Sequence, residues 1–299
     1  MTREQLERRR AGIGGSDAPA IIGVSPWRSP LDVYLDKIGE AEEVEESPAM
    51  RWGTALEPLV RQAYADATGE TVRVPALLAH PRHPWMIGHL DGLTDSGRVL
   101  ECKTARTAEG WGEPGTDEIP DAYLIQVQHY LTVTALSVAD VAVLIGGSDF
   151  RLYEIPADGE LQSALMDQEA AFWREHVEAG LAPDPRSLAD VKRRWRISTE
   201  RRTQASEDVR ASVATLRLYK AQIAALEAKR DEEIAFVLAS MGDADTLAWQ
   251  EDVLATWKNS KPAKRFDGKA FQAAHADLYR DFLRAGAPAR RFLLKGEST

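Results

Sequence analysis

Residues 89–103 (HLDGLTDSGRVLECK) carry two carboxylates and an ammonium, Asp91, Glu101 and Lys103, at a spacing that a hairpin would bring together. Thr94, Asp95, Ser96 and Gly97 supply the turn chemistry between two apolar runs. On the second strand Glu101 and Lys103 are two residues apart and share one face. Leu100 and Cys102 share the other and can pack into a core. Carboxylate oxygens suit Mg²⁺, which is commonly held by one or two protein carboxylates, several waters and a substrate phosphate. Asp91 and Glu101 would supply two such ligands and the backbone carbonyl of Cys102 a third, with Mn²⁺ able to substitute. Lys103 would hold an attacking water or neutralise developing negative charge. That set is what metal-assisted phosphodiester hydrolysis needs. Taken alone, a Glu-x-Lys pair on a strand is an ordinary solvated face, so its surroundings decide.

Three other segments supply them. Residues 50–57 (MRWGTALE) open a helix in which Trp52, Leu56, Leu59, Val60 and Ala63 recur at helical spacing. Glu57 lies at the edge of that stripe, where a surface position is the simple alternative. A helix beginning near Pro120 puts Gln126 and Tyr130 four residues apart on one face, and such a pair is equally a hydrogen-bonded or packing pair. Residues 10–18 (RAGIGGSDA) form a glycine-rich turn leading into a short helical pattern, Ala18 to Ile22. This turn lacks the spacing of a nucleotide P-loop. His89, beside Asp91, is expected to pack or hydrogen-bond near the site.

With these four motifs in order over about residues 8–155, the chain resembles the YqaJ-type viral recombinase family, the phage lambda exonuclease-like branch of the PD-(D/E)XK nucleases. The resemblance implies that Asp91 and Glu101 are metal ligands, Lys103 the catalytic lysine, Glu57 an additional helix-borne acid and Gln126 the polar residue beside the scissile phosphate. Gln128, in the same helix, competes for that last role, and Tyr130 completes the motif at the DNA. Arg10 and Ser16 resemble the segment that contacts a DNA 5′-phosphate. The nominal Pro-Asp is here Leu90-Asp91. The implied fold is α/β, a restriction-endonuclease-like core with a central mixed sheet flanked by helices. The implied activity is Mg²⁺-dependent 5′→3′ exonuclease action on double-stranded DNA ends. Its implied partners are further copies of the chain in a trimeric ring and a RecT-type single-strand annealing protein. A structure-specific or restriction-like endonuclease, or a non-catalytic DNA-binding module, are the alternatives.

The chain has 299 residues, a net charge of −10 and one cysteine, Cys102. A single cysteine permits neither an internal disulfide nor the four-cysteine iron–sulfur cluster found in some nucleases. No apolar run is long enough to span a membrane, and residues 1–10 show no signal-peptide pattern, so a cytoplasmic location is the default expectation. The acidity is uneven. Residues 1–190 hold 16 Lys/Arg against 32 Asp/Glu, while residues 191–299 hold 21 against 15. The acidic run from 40 to 46 reads as a solvated loop or helix end. The basic segments 192–196 (KRRWR) and 289–295 (ARRFLLK) each carry an aromatic residue, and suit phosphate contact with base stacking or snorkelling around a buried ring.

Strands are expected over 72–79, 85–90, 99–103, 138–145 and 150–155, and helices over 120–134 and 159–179. The Pro-containing stretch 181–187 is expected to separate a nuclease core, residues 1–185, from a mainly helical appendage, residues 190–299. That appendage should contain a long helix over 198–241, a hairpin over 245–258, a helix over 267–274 and a strand over 290–295.

Overall fold

The computed structural model describes residues 3–41, 47–261, 264–284, 286 and 290–295. Most of the acidic run lies outside them. The chain divides into two compact units, Met1–Arg194 and Trp195–Thr299. The first unit extends past the expected break at 181–187. The reason is Asp190, which is buried and accepts hydrogen bonds from the Ser29 hydroxyl (2.7 Å) and the Arg186 amide (2.9 Å).

The first unit opens with helices α1 (Arg3–Arg10), α2 (Ala18–Ile22), α3 (Pro30–Lys37) and α4 (Pro48–Thr68). Their ends are chemically marked. Gly23, at φ 91°, closes α2; Ser29 and Asp32 form a reciprocal capping box on α3; Ser47 caps α4 and Gly69, at φ 74°, ends it. Strands β1 (Val72–Arg73), β2 (Leu78–Ala79), β3 (Ile87–Gly88), β4 (Gly92–Thr94) and β5 (Val99–Ala105) follow, then helix α5 (Asp121–Thr134), strands β6 (Val138–Ile145) and β7 (Asp149–Pro156), helix α6 (Gly159–Phe172) with a π-helical continuation Trp173–Glu178, and helix α7 (Leu188–Arg194).

The main sheet runs β1-β4-β5-β6-β7. Only β5 and β6 pair in parallel, because α5 forms the crossover between them. This is the expected mixed sheet flanked by helices. On one face Leu100, Cys102 and Ala142 pack with Val60 and Tyr64 of α4. On the other, Val99, Val141 and Val143 pack with Val127, Tyr130 and Leu131 of α5. The expected strand over 72–79 is instead two short strands in different sheets. Pro75 lies between them and cannot donate to a ladder. The expected strand over 85–90 shrinks to Ile87–Gly88, while Met86 bridges to Ile13 of the glycine-rich turn. The α4 stripe also differs: Trp52 and Leu59 are exposed, and the buried residues are Val60 and Tyr64, one turn apart.

Buried charge ties the N-terminal segment together. Asp17, fully buried, accepts from Lys37 Nζ (2.6 Å) and Arg28 Nη1 (2.6 Å), and the Lys37 side chain is itself wholly enclosed. Burial would raise the Asp17 carboxyl, but the two cations outweigh it and hold the group well below the usual carboxylate range. On the far side of α5, buried His129 joins Glu169 of α6 (2.8 Å) to the Ile87 carbonyl (2.9 Å).

In the second unit Ser206 caps helix α8 (Glu207–Met241), so the helix begins later than 198. The preceding residues 198–205 are almost wholly polar and offer nothing to bury. Strands β8 (Thr246–Trp249) and β9 (Asp252–Thr256) pair as a hairpin, and helices α9 (Gly268–Ala274) and α10 (Ala276–Phe282) follow. Residues 290–295 are irregular; among the described residues no strand pairs with them.

Replacing Asp17 with Asn strands Lys37 as an uncompensated buried charge and should cost about 3–5 kcal/mol in urea unfolding at neutral pH. Because the folded-state pKa is lowered, this stabilisation is present above the ordinary carboxylate range and fades as pH falls through and below it. The variant should lose that part of the acid dependence. A change under about 1 kcal/mol would mean the network contributes little.

Candidate active site

The site forms where β4 runs out. Its register pairs Gly92 with Leu100 and Leu93 with Val99, so beyond that point β5 has no strand partner on this edge. Asp91, the residue just before β4, turns its carboxylate into the gap. Its Oδ2 accepts from the Cys102 amide at 2.7 Å. In a strand, the N–H and C=O of one residue point to the same side. The Cys102 carbonyl therefore faces the same edge as Asp91. Gly92 has no room for a side chain: a Cβ would sit 2.5 Å from Val72 Cγ1.

Glu101 and Lys103 point to the α5 face, opposite Leu100 and Cys102. There Lys103 Nζ donates to Glu101 Oε1 (2.5 Å) and to Gln126 Oε1 (3.0 Å), and Gln126 Nε2 donates to the same Glu101 oxygen (2.7 Å). Gln126 Nε2 also reaches the Tyr130 hydroxyl at 3.2 Å. Glu101 Oε1 is thus doubly satisfied, whereas Oε2 is buried with no hydrogen-bond partner. Lys103 also lies over the ring of Tyr123, 4.7 Å from its centroid. Burial would lower the Lys103 ammonium pKa, but the Glu101 carboxylate outweighs that and raises it, so the side chain is cationic at neutral pH. Burial, reinforced by the facing Glu101 charge, pushes the Asp91 carboxyl up to about 8.

Glu57, on α4, pairs with Arg61 one turn later at 3.1 Å, and the same Arg61 nitrogen donates to the Asp91 carbonyl at 2.8 Å. Glu57 therefore approaches the site through Arg61. The structure separates the two glutamines. Gln126 faces Glu101 and Lys103, while Gln128 donates to the Pro156 carbonyl (2.8 Å) and accepts from Asp158 and Gln162, away from the site. Tyr130 is buried and meets the site only through Gln126, so a direct contact with a DNA strand is closed to it. Its ring packs on the glycine-rich turn, where a Cβ on Gly15 would lie 2.4 Å from it. Ser16 is exposed on that turn. Arg10 is partly buried, with Nε 4.0 Å from Asp36. His89 is exposed. In the basic segments, Trp195 and Phe292 are exposed, which removes the buried-ring reading of both.

Two neighbours of the site escaped sequence reading. Arg61 could have been found as the residue four after Glu57, an ion-pair spacing on a helix. Tyr123 could have been found three residues before Gln126, on the same face of α5. The donor set fits a hard divalent cation. Two carboxylates face one another beside the Cys102 carbonyl, one carboxylate oxygen is buried and unpartnered, and the other carboxyl is raised by burial and by the facing Glu101 charge. Among the described residues no group of three or more His, Cys, Asp or Glu side chains could hold a metal. A cation here would need water and phosphate oxygens to complete its shell.

Comparison with known proteins agrees with this architecture. Residues 4–137 match the model of the YqaJ-like viral recombinase domain. The chain is 33% identical over 306 residues to the uncharacterized protein YqaJ of Bacillus subtilis, covering 99% of this chain and 95% of that one. It is 24% identical over 152 residues to the uncharacterized protein R354 of Acanthamoeba polyphaga mimivirus, covering 46% of this chain and 28% of that one. Among solved structures, an alkaline exonuclease from Laribacter hongkongensis superposes with a TM-score of 0.50 at 22% identity, over 60% of this chain and 94% of that one.

With the Asp91 carboxyl raised in the folded state, the folded protein holds a proton that the unfolded chain releases. Cation-free stability should therefore fall as pH climbs from the ordinary carboxylate range to about 8. Asp91→Asn should flatten that slope and melt higher than the parent at pH 8 without divalent cation. An identical pH profile for both proteins in thermal melts would contradict an Asp91 carboxyl raised by burial and by the facing Glu101 charge.

Proposed function

The chain belongs to the YqaJ-like viral recombinase family, and we propose that it is a divalent-metal-dependent deoxyribonuclease that degrades double-stranded DNA from 5′ ends. The observation that carries this reading is the buried, unpartnered Oε2 of Glu101 beside Asp91, with the other Glu101 oxygen pinned by Lys103 and Gln126. A fold shared with an alkaline exonuclease supports the same reading.

Asp91, Glu101 and the Cys102 carbonyl would hold Mg²⁺ or Mn²⁺. When bound, the ion supplies Lewis-acid neutralisation of charge on the phosphoryl oxygens. The rest follows from the side chains. Lys103, cationic and already bonded to Glu101 and Gln126, has one ammonium donor left for the attacking water or a phosphate oxygen. Its charge makes it an electrostatic stabiliser rather than a general base. Gln126 fixes the ammonium's direction, and Tyr130 fixes Gln126. The attacking water gives up a proton to solvent as it bonds to phosphorus, the bond from phosphorus to the 3′ oxygen breaks, and that oxygen takes a proton from solvent. Arg10 and Ser16, at the edge of the glycine-rich turn, would meet the terminal 5′-phosphate, as the family resemblance implies. Glu57 would add negative charge at the rim, tempered by Arg61.

Assembly into a trimeric ring and transfer of the exposed strand to a RecT-type annealing protein belong to the same proposal, as does a cytoplasmic location. No described helix is long and apolar enough to cross a membrane.

The test uses a 5′-phosphorylated linear duplex and the matching closed circle, each with Mg²⁺ and with EDTA. Metal-dependent loss of the linear form alone is expected, and Glu101→Ala should be inactive. Nicking of the circle would reassign the protein as an endonuclease. Binding without cleavage would leave a DNA-binding module. Lys103→Ala should lower kcat about 10²–10³-fold with little change in DNA affinity; equal losses in both would contradict its role.

A further inference from the structure

We propose that Trp27 and Tyr123 form a stacking platform for an unpaired nucleobase of the strand whose phosphate lies at Glu101 and Lys103. The proposal rests on the nuclease reading above and adds to it a binding subsite outside the metal, phosphate and terminal-phosphate contacts already described. Three aromatic rings form a line away from the site. Trp111 is buried against Tyr153, with centroids 5.2 Å apart. Tyr123 packs on Trp111 at 5.6 Å and carries Lys103 over its face. Trp27 lies on Tyr123 at 5.8 Å and 26° from parallel, and remains 65% exposed. One indole face is therefore used, and the other is open to solvent two ring-spacings from the lysine.

An exposed tryptophan is unremarkable when it sits on a loose loop, but this one is fixed. Gly23 ends α2 at φ 91°. The Ser25 hydroxyl oxygen accepts from the amides of both Trp27 (3.3 Å) and Arg28 (3.2 Å). Arg28 is anchored to buried Asp17 at 2.6 Å and lies 3.6 Å from Asp36. The indole is thus held between an ion-paired loop and the first turn of α5, the helix that also carries Gln126. A flat, rigid, solvent-facing ring backed by a second ring is what base stacking requires. Stacking is sequence-tolerant because every base has a π-face. Two rings separate the open Trp27 face from the Lys103 ammonium, more than one nucleotide spans, so the base belongs to a neighbouring nucleotide of the strand whose phosphate the lysine meets. The base is taken as unpaired, since inside a duplex a base offers its faces only to its neighbours, and the intact and abasic overhangs below test this. This places the platform at the strand that is being separated.

The test measures binding of the full-length protein in EDTA to a 5′-phosphorylated duplex whose last three nucleotides at that end are unpaired. It is compared with the same duplex carrying a single abasic residue at each of the three positions in turn. The wild type should lose roughly ten- to hundredfold in affinity for one abasic position. Trp27→Ala should bind the intact duplex at that reduced level and be indifferent to the abasic residue. Trp27→Phe should recover part of the difference. As a measurement free of variants, 2-aminopurine at the sensitive position should be quenched on binding to wild-type protein. Equal losses of Trp27→Ala on intact and abasic DNA would make the stack a structural cover only. No abasic position mattering to the wild type, or no quenching, would also overturn the platform. Quenching by free deoxynucleoside monophosphate but not by the strand would reassign it to product binding and overturn it as well. Failure of the wild type to bind any of the duplexes, both in EDTA and with Ca²⁺ replacing Mg²⁺, would instead overturn the nuclease reading on which the platform depends.

Discussion

The fold depends at one point on a carboxylate standing in for a strand. β4 stops pairing with β5 at Gly92 and Leu100, and the backbone edge that continues past it must be satisfied. The Asp91 side chain takes the Cys102 amide at 2.7 Å. That single hydrogen bond places a carboxylate opposite Glu101 within an enclosed space, which raises the Asp91 carboxyl to about 8. An arrangement that costs stability in the isolated chain persists because everything around it is fixed independently. The backbone of β5 is fixed by its parallel ladder with β6, and the Asp91 carbonyl is fixed by Arg61.

The two helices that flank the sheet have different parts in this. α4 supplies apolar cover at Val60 and Tyr64 on one face, then one turn of charge, Glu57 and Arg61, at the rim. α5 is buried nearly all round, and this is why its polar residues are informative. Gln126, Gln128 and His129 each have to be bonded, and between them they reach β5, β7, α6 and the Ile87 carbonyl of β3. Gln126 turns to β5, Gln128 to the end of β7 and the start of α6, and His129 to Glu169 and the Ile87 carbonyl. The helix is locked in rotation by these three contacts, so the Gln126 amide, and through it Lys103, has one direction available. Buried polar groups that look like a liability in α5 thereby fix the geometry of the site.

Much of this was legible from residue types. The Glu-x-Lys alternation on β5 follows from strand periodicity, and β6 shows in its apolar residues, interrupted once by Asp140. The helix bounds of α5 follow from Pro120 and the spacing of Gln126 and Tyr130. What was not legible came from tertiary context. Pro75 split an apparently continuous strand between two sheets. The stripe on α4 pointed to Trp52 and Leu59, but the helix is buried only where it lies over Leu100 and Ala142, around Val60 and Tyr64. Gln126 and Gln128 could not be told apart by spacing, since both sit on a helix buried on several sides. The Glu57–Arg61 spacing shows in the sequence, but the bond from Arg61 to the Asp91 carbonyl does not, because a backbone partner leaves no trace there.

The central claim is that Asp91 and Glu101 form one cation site, with Glu101 Oε2 as its unfilled ligand. The most direct measurement is a crystal structure grown with Mn²⁺ and phased at the manganese edge. The account predicts one anomalous peak within coordination distance, about 2.0–2.2 Å for so small a cation, of both Glu101 Oε2 and an Asp91 oxygen, with Lys103 still bonded to Glu101 Oε1. A peak elsewhere, or none at saturating Mn²⁺ with the two carboxylates unchanged, would contradict it.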